Sequence, residues 1–223
     1  MTKKTIVILI SGSGTNLQAI IDAVDKGQIN AKIAAVISNR PDAKGLQRAE
    51  RAQVNTVVID QSEYQDRSAY DDALITEIDK YAPDLIVLAG FMRILSENFI
   101  NHYHNTILNI HPSLLPEFKG LNTHRRALET SKQTHGASVH FVSNELDSGP
   151  VVIQAEVPVL ADDNEASLAA RVLQQEHIIY PMAIAWYIDG RLELNGNKVL
   201  IDNKLMHRPA LWKTDRLILS EQQ

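Results

Sequence analysis

The chain of 223 residues is 44% hydrophobic and 22% charged, with a formal net charge of −5, a globular composition long enough to bury a sizeable core. It has no cysteine, which excludes disulfide scaffolds, thiolate metal sites and cysteine nucleophiles. The mild acidity argues against a nucleic-acid footprint, no apolar run approaches the roughly 18 residues of a spanning helix, and the start carries no signal-peptide pattern; the expectation is a cytoplasmic protein.

Residues 4–10 form a continuous β-branched apolar run, the pattern of a strand buried on both faces. A helix is expected over 16–26, with Leu17, Ile20, Ile21 and Val24 on one face and Gly27 as its stop. Strands at 32–38 and 56–59 bracket a short helix at 45–52, and a helix over 66–81 carries Tyr70, Leu74, Ile78 and Tyr81 at helical steps. Pro83 then introduces a strand at 85–89. This alternation predicts right-handed βαβ units. Beyond residue 105 the pattern changes. A strand at 106–111 leads into a proline-punctuated loop and a short helix at 123–130. Extended runs at 136–142 and 151–157 follow, joined by the turn Asp147-Ser-Gly-Pro150. A helix over 165–187 is expected to be capped by Asp162 or Asp163 and kinked or shortened by Pro181. The tail, 191–223, reads as two short strands with irregular segments. The fold class is α/β, a mostly parallel twisted sheet with flanking helices and a Rossmann-like N-terminal half. We read 1–223 as one domain, with a nucleotide-binding-like half (1–105), a second half (106–190) and the tail.

Directly after the first strand stands Ser11-Gly12-Ser13-Gly14-Thr15-Asn16. In a parallel sheet, ligands bind beyond the carboxyl ends of the strands, and amides opening a helix attract anions. The dinucleotide fingerprint fails, because Leu17 replaces its third small residue and strand two ends in Ser38-Asn39-Arg40 without an acid. The triphosphate loop fails for want of its lysine. A single phosphate monoester fits what remains; a ligand-free glycine turn fits as well.

Asn109-Ile-His111-Pro112 closes the strand at 106–111. Residues two apart on a strand share a face, so an amide donor and an imidazole stand together at the ligand edge. Such a pair can stabilise charge growing on a carbonyl oxygen and move protons. Asp147, in its polar turn, could return to this edge and favour the imidazolium form of His111. A structural histidine and an ordinary turn aspartate are the simpler alternatives. His102 and His104 lack the companions of a metal site, and no Gly-x-Ser-x-Gly elbow is present. No metal is expected.

At these residues the chain resembles a known family. Leu108-Asn-Ile-His-Pro-Ser-Leu-Leu-Pro116, His135-Gly-Ala-Ser-Val-His-Phe-Val142, Leu146-Asp-Ser-Gly-Pro150, Tyr81-Ala-Pro-Asp84 and Leu88-Ala-Gly-Phe-Met-Arg-Ile-Leu95 are similar to the signatures of formyltransferases that use 10-formyltetrahydrofolate. The opening loop and Gly120-Leu-Asn-Thr-His124 resemble the branch acting on phosphoribosyl glycinamide in purine synthesis, and the likeness runs from about Lys4 to Gly190. The resemblance implies direct formyl transfer, with the folate as co-substrate and small molecules as the only partners. It implies that His111 is the general acid, Asn109 an oxyanion contact and Asp147 the group that orients and charges His111. Gly14, Thr15 and Asn16 would hold the ribose phosphate, and Glu176 the substrate's polar groups. The folate would lie against Met92, Arg93, Ile94, Leu95, Asn109, Ser143, Leu146 and Asp147, with Arg67 near its tail. Thr15 replaces a common serine and keeps the hydroxyl, whereas Leu173 stands where a polar residue is expected. A deformylase, an initiator-tRNA formyltransferase and a sugar-nucleotide formyltransferase share the core. Against the first, which usually carries an extra N-terminal domain, strand one begins by residue 5. Against the second, which calls for a basic surface and a C-terminal domain, the net charge is −5 in 223 residues. Against the third stands the phosphate loop. A regulatory nucleotide-binding module would leave Asn109, His111 and Asp147 unexplained. No apolar seam in the sequence sets an oligomeric state.

Overall fold

The computed structural model describes residues 3–219. Met1, Thr2 and residues 220–223, the extremes of the expected start and tail, lie outside the described residues. The chain divides into two compact units, residues 1–109 and 110–223.

In the first unit, β1 (Lys4–Ile10), α1 (Thr15–Asp25), β2 (Ala31–Ser38), α2 (Lys44–Arg51), β3 (Thr56–Val58), α3 (Arg67–Asp79), β4 (Leu85–Leu88), α4 (Glu97–His102) and β5 (Ile107–His111) alternate. The strands lie in the order β5-β4-β1-β2-β3, and every pairing is parallel. From β1 the chain steps outward to β2 and β3, then returns to the other side of β1 at β4. The carboxyl end of β1 is therefore a switch point, where neighbouring connections leave in opposite directions and open a crevice. The β-branched run of β1 is a centre of this core, with Ile6 to Ile10 fully buried. On α3, Tyr70, Leu74 and Ile78 face inward as their spacing predicts, but Asp71 is buried with them. Its Oδ2 accepts the Ser96 amide at 2.5 Å, and Ser96 in turn caps α4. The sequence pattern misses α4 because six residues span under two turns and show no periodicity.

β5 runs across the division. Beyond it come α5 (Thr123–Glu129), β6 (Thr134–Phe141), β7 (Val151–Pro158), α6 (Glu165–Ile188), β8 (Leu192–Asn195), β9 (Lys198–Ile201), β10 (Lys204–Leu205), β11 (Ala210–Lys213) and β12 (Arg216–Ile218). β6 and β7 are antiparallel. β11 adds to β7 in parallel, and β12 closes antiparallel on β11. β8, β9 and β10 form a separate antiparallel sheet. Among its described residues the tail thus holds five strands rather than the expected two. Each has two to four residues, too few for an alternating pattern to declare itself.

Two expectations for α6 are corrected. Its cap is Asn164, whose Oδ1 accepts the Ala166 and Ser167 amides while Ser167 Oγ accepts the Asn164 amide. Asp163 is otherwise engaged: Arg171 donates both arms of its guanidinium to it and holds its carboxyl well below the usual range. The helix also continues through Pro181 to Ile188. A proline inside a helix costs about 3 kcal/mol, but Pro181 is itself buried beside Ile179, Tyr180, Ala183 and Ile184. Packing of this apolar stretch outweighs the lost hydrogen bond.

The β6–β7 ladder leaves no room at Gly136, where an added Cβ would stand 1.9 Å from the Ala155 carbonyl oxygen. Gly136→Ala is expected to lower the unfolding free energy by about 1–3 kcal/mol, measured as a lower urea midpoint. An unchanged midpoint would contradict this packing.

Candidate active site

The loop between β1 and α1 is shaped by glycine. Gly14 sits at the α1 N-cap with φ 71° and no side-chain cap hydrogen bond. A Cβ there would lie 2.6 Å from Gly45 Cα, and one on Gly45 would lie 2.6 Å from Ile10 Cδ1. Two backbones touch because neither residue has a side chain. The contact is tied by the Gly45 amide donating to Gly12 O at 2.9 Å. Arg48 Nε donates to Ser13 O at 2.9 Å, so a guanidinium stands beside the loop. With no acidic residue in the first turn of α1, amides, helix dipole and arginine all favour an anion. Thr15 opens α1, and Asn16 is buried on its first turn.

The β4–α4 connection lies next to this loop. Ser11 N donates to Gly90 O, and Ser11 Oγ accepts the Met92 amide at 2.7 Å. Met92 and Ile94 are exposed, at 65% and 50%, whereas Leu95 is buried. Arg93 turns inward: its guanidinium lies 4.0 Å from the Tyr70 ring centroid and donates to Gln61 Oε1 at 2.8 Å. The segment thus offers an apolar surface at Met92 and Ile94, and Arg93 anchors it from behind. Arg67 is exposed at the first position of α3.

Strand alternation places Asn109 and His111 on one face of β5. His111 is 6% exposed, and each of its ring nitrogens meets an acceptor. Nε2 donates to Phe118 O at 3.0 Å, while Nδ1 faces Asp147 Oδ2 at 3.4 Å. The doubly protonated ring alone can donate to both. Asp147 reaches this position with a left-handed backbone, φ 48°, and the Gly120 amide holds its Oδ2 at 2.8 Å. His140 Nε2 lies 3.8 Å from the other carboxylate oxygen, Oδ1. Burial pushes His140 down to about 4, and its Nδ1–H donates to Phe141 O at 2.8 Å. At neutral pH the His140 ring is therefore uncharged.

The remaining expected residues are placed as follows. Glu176 is buried midway along α6, and Leu173 is half-buried one turn earlier. Ser143 and Leu146 lie on the β6–β7 connection, where Ser143 Oγ donates to Glu145 O and Leu146 is 51% exposed. Phe118, Gly120, His140, Arg48 and Ser11 escaped the sequence reading as contributors. Phe118 and Gly120 act through backbone atoms that every residue type supplies, so no sequence signal exists for them. His140 lies inside a quoted motif, but its spacing alone does not separate it from an ordinary core position.

Residues 4–184 match the model of the formyl transferase family. The phosphoribosylglycinamide formyltransferase of Escherichia coli (strain K12) is 55% identical over 199 residues, 89% of this chain and 94% of that one. Its Haemophilus influenzae counterpart is 48% identical, covering 91% and 96%. Among solved structures, the phosphoribosylglycinamide formyltransferase of Coxiella burnetii superposes with a TM-score of 0.88 at 48% identity, over 92% of this chain and 96% of that one. Motif, fold and full-length similarity agree, and the chain belongs to the formyl transferase family.

Proposed function

We propose that this chain transfers the formyl group of 10-formyltetrahydrofolate to the amine of 5-phosphoribosyl glycinamide in purine biosynthesis. The products are 5-phosphoribosyl N-formylglycinamide and tetrahydrofolate. The observation that carries the chemistry is His111 set between the Phe118 carbonyl and the Asp147 carboxylate, in a chain whose relatives of that activity match over nearly their whole length. Residues 1–223 act in this reading as one formyltransferase domain.

The substrate amine attacks the formyl carbon, and the carbonyl oxygen becomes an oxyanion in a tetrahedral centre. Asn109 donates its side-chain amide to that oxygen, and the His111 imidazolium adds charge and a second donor. Of its two N–H groups, Nε2–H is anchored on Phe118 at 3.0 Å. Nδ1–H faces Asp147 across 3.4 Å, longer than an ordinary charge-assisted hydrogen bond, and we assign it as the proton available to the reaction. Asp147 keeps the ring charged and oriented. The attacking nitrogen loses a proton and the departing folate nitrogen gains one, so the transfer is balanced without any other reactant.

The amides of Gly14, Thr15 and Asn16, with Arg48 beside them, bind the ribose phosphate in this reading, and Glu176 takes the polar groups of the nucleotide. The folate lies against Met92, Ile94, Leu95, Ser143, Leu146 and Asp147, with Asn109 at its reacting end, and Arg67 meets its acidic tail. Arg93 serves the folate through its backbone, since its side chain is committed to Tyr70 and Gln61.

Tetrahydrofolate release should require both substrates. Release from 10-formyltetrahydrofolate that ignores phosphoribosyl glycinamide would mean hydrolysis, and no release at all would mean a binding module. His111→Ala and Asn109→Ala are each expected to lower turnover by about 10²–10³ with an unchanged circular dichroism spectrum; near-normal turnover removes that residue from the mechanism. Arg48→Met, which removes the guanidinium beside those loop amides, is expected to weaken nucleotide binding by about 10-fold or more and folate binding far less, by calorimetry. Equal losses for both ligands would place the phosphate elsewhere.

A further inference from the structure

The segment 117–120 touches both members of the His111–Asp147 pair through its backbone. The Phe118 carbonyl accepts from His111 Nε2 at 3.0 Å, and the Gly120 amide donates to Asp147 Oδ2 at 2.8 Å. Two positions on one short strap thus meet the two groups, so its conformation sets their mutual geometry. That conformation is unusual. Phe118 has φ 53°, a left-handed value that a bulky residue holds only where its surroundings impose it.

Those surroundings can be named. Ser113 Oγ donates to Glu117 O at 2.6 Å. Arg126, on α5, donates through Nη1 to Lys119 O at 2.7 Å and reaches Leu121 O at 3.4 Å. The same guanidinium lies 5.4 Å from the Phe118 ring centroid, and that ring stands edge-on to His135 at 5.8 Å. One planar, multiply donating cation thus holds the strap by the Lys119 carbonyl and the Phe118 ring, and reaches the Leu121 carbonyl just beyond it. A lysine could replace one of those bonds but not the set.

We propose that Arg126 is a positioning residue: by fixing the strap 117–120 it holds the Phe118 carbonyl and the Gly120 amide where they orient His111 and Asp147. Arg126 touches neither the imidazole nor the carboxylate, and its effect on them passes through the strap. The inference rests on the reading of His111 and Asp147 as catalytic.

The test uses the full chain with Arg126→Met, Arg126→Lys and, as control, His111→Ala. Arg126→Met is expected to lower kcat by about 10- to 100-fold, the scale of a misplaced reacting group, with KM for phosphoribosyl glycinamide within about twofold. Arg126→Lys should recover part of kcat by restoring a donor to the Lys119 carbonyl. In ¹⁵N-resolved NMR of the histidine rings, the His111 Nε2–H signal, identified by its absence in His111→Ala, should be present in the unaltered protein and lost or exchange-broadened in Arg126→Met. An unchanged kcat in Arg126→Met overturns the proposal. So does a reduced kcat with an unchanged His111 signal, since the effect would then not pass through the ring. If Arg126→Met fails to fold, the same two readouts on Arg126→Lys decide, and an unperturbed signal with full kcat there overturns it. Full turnover in His111→Ala would instead remove the catalytic reading, leaving the ring signal to judge the strap alone.

Discussion

A buried imidazole with an oxygen acceptor at each nitrogen is the constraint around which this site is organised. His111 cannot satisfy Phe118 O and Asp147 Oδ2 together unless it carries both ring protons. Much of the nearby geometry follows from providing those two acceptors at once. Phe118 adopts φ 53° and Asp147 φ 48°, conformations that L residues avoid outside constrained positions. The second imidazole beside the carboxylate, His140, is kept neutral by burial. Groups already in place when charge develops on a substrate are where preorganised electrostatics contribute most to rate.

Binding and chemistry are built from different materials. In the first unit the anion site is almost wholly backbone: a loop packed through the Gly14–Gly45 contact, helix amides, and Arg48 bracing the Ser13 carbonyl. Such a loop favours an anion by its amides, helix dipole and nearby guanidinium. In the second unit His111 is held between a backbone carbonyl and the Asp147 carboxylate. Ser11 links that loop to the apolar segment carrying Met92 and Ile94 through its bond to the Met92 amide, so two recognition segments of the first unit share one anchor.

The parallel core was legible in the sequence because β-branched runs such as 4–10 and 32–38 and their Gly and Pro boundaries reflect burial on both faces. Strand alternation puts Asn109 and His111 on one face, and Asp147, whose turn alone reads as an ordinary one, does return to within 3.4 Å of His111. Failures came where packing or backbone overrode local preference. Pro181 is carried inside α6 by burial, α4 is too short for periodicity, and the tail strands β8 to β12 are shorter still. The acceptor for His111 was invisible because a carbonyl belongs to every residue, and Arg48 and Arg126 read as any other solvated charge until their partners were placed.

Asp147→Asn keeps the size and hydrogen-bonding shape of the side chain while removing the charge that faces His111. Its single-turnover formyl-transfer rate, measured with both substrates saturating, tests the central claim most directly. The predicted result is a rate lower by about 10² or more, with both substrates still bound; a rate near that of the unaltered protein would contradict the claim that the imidazolium–carboxylate pair drives the transfer.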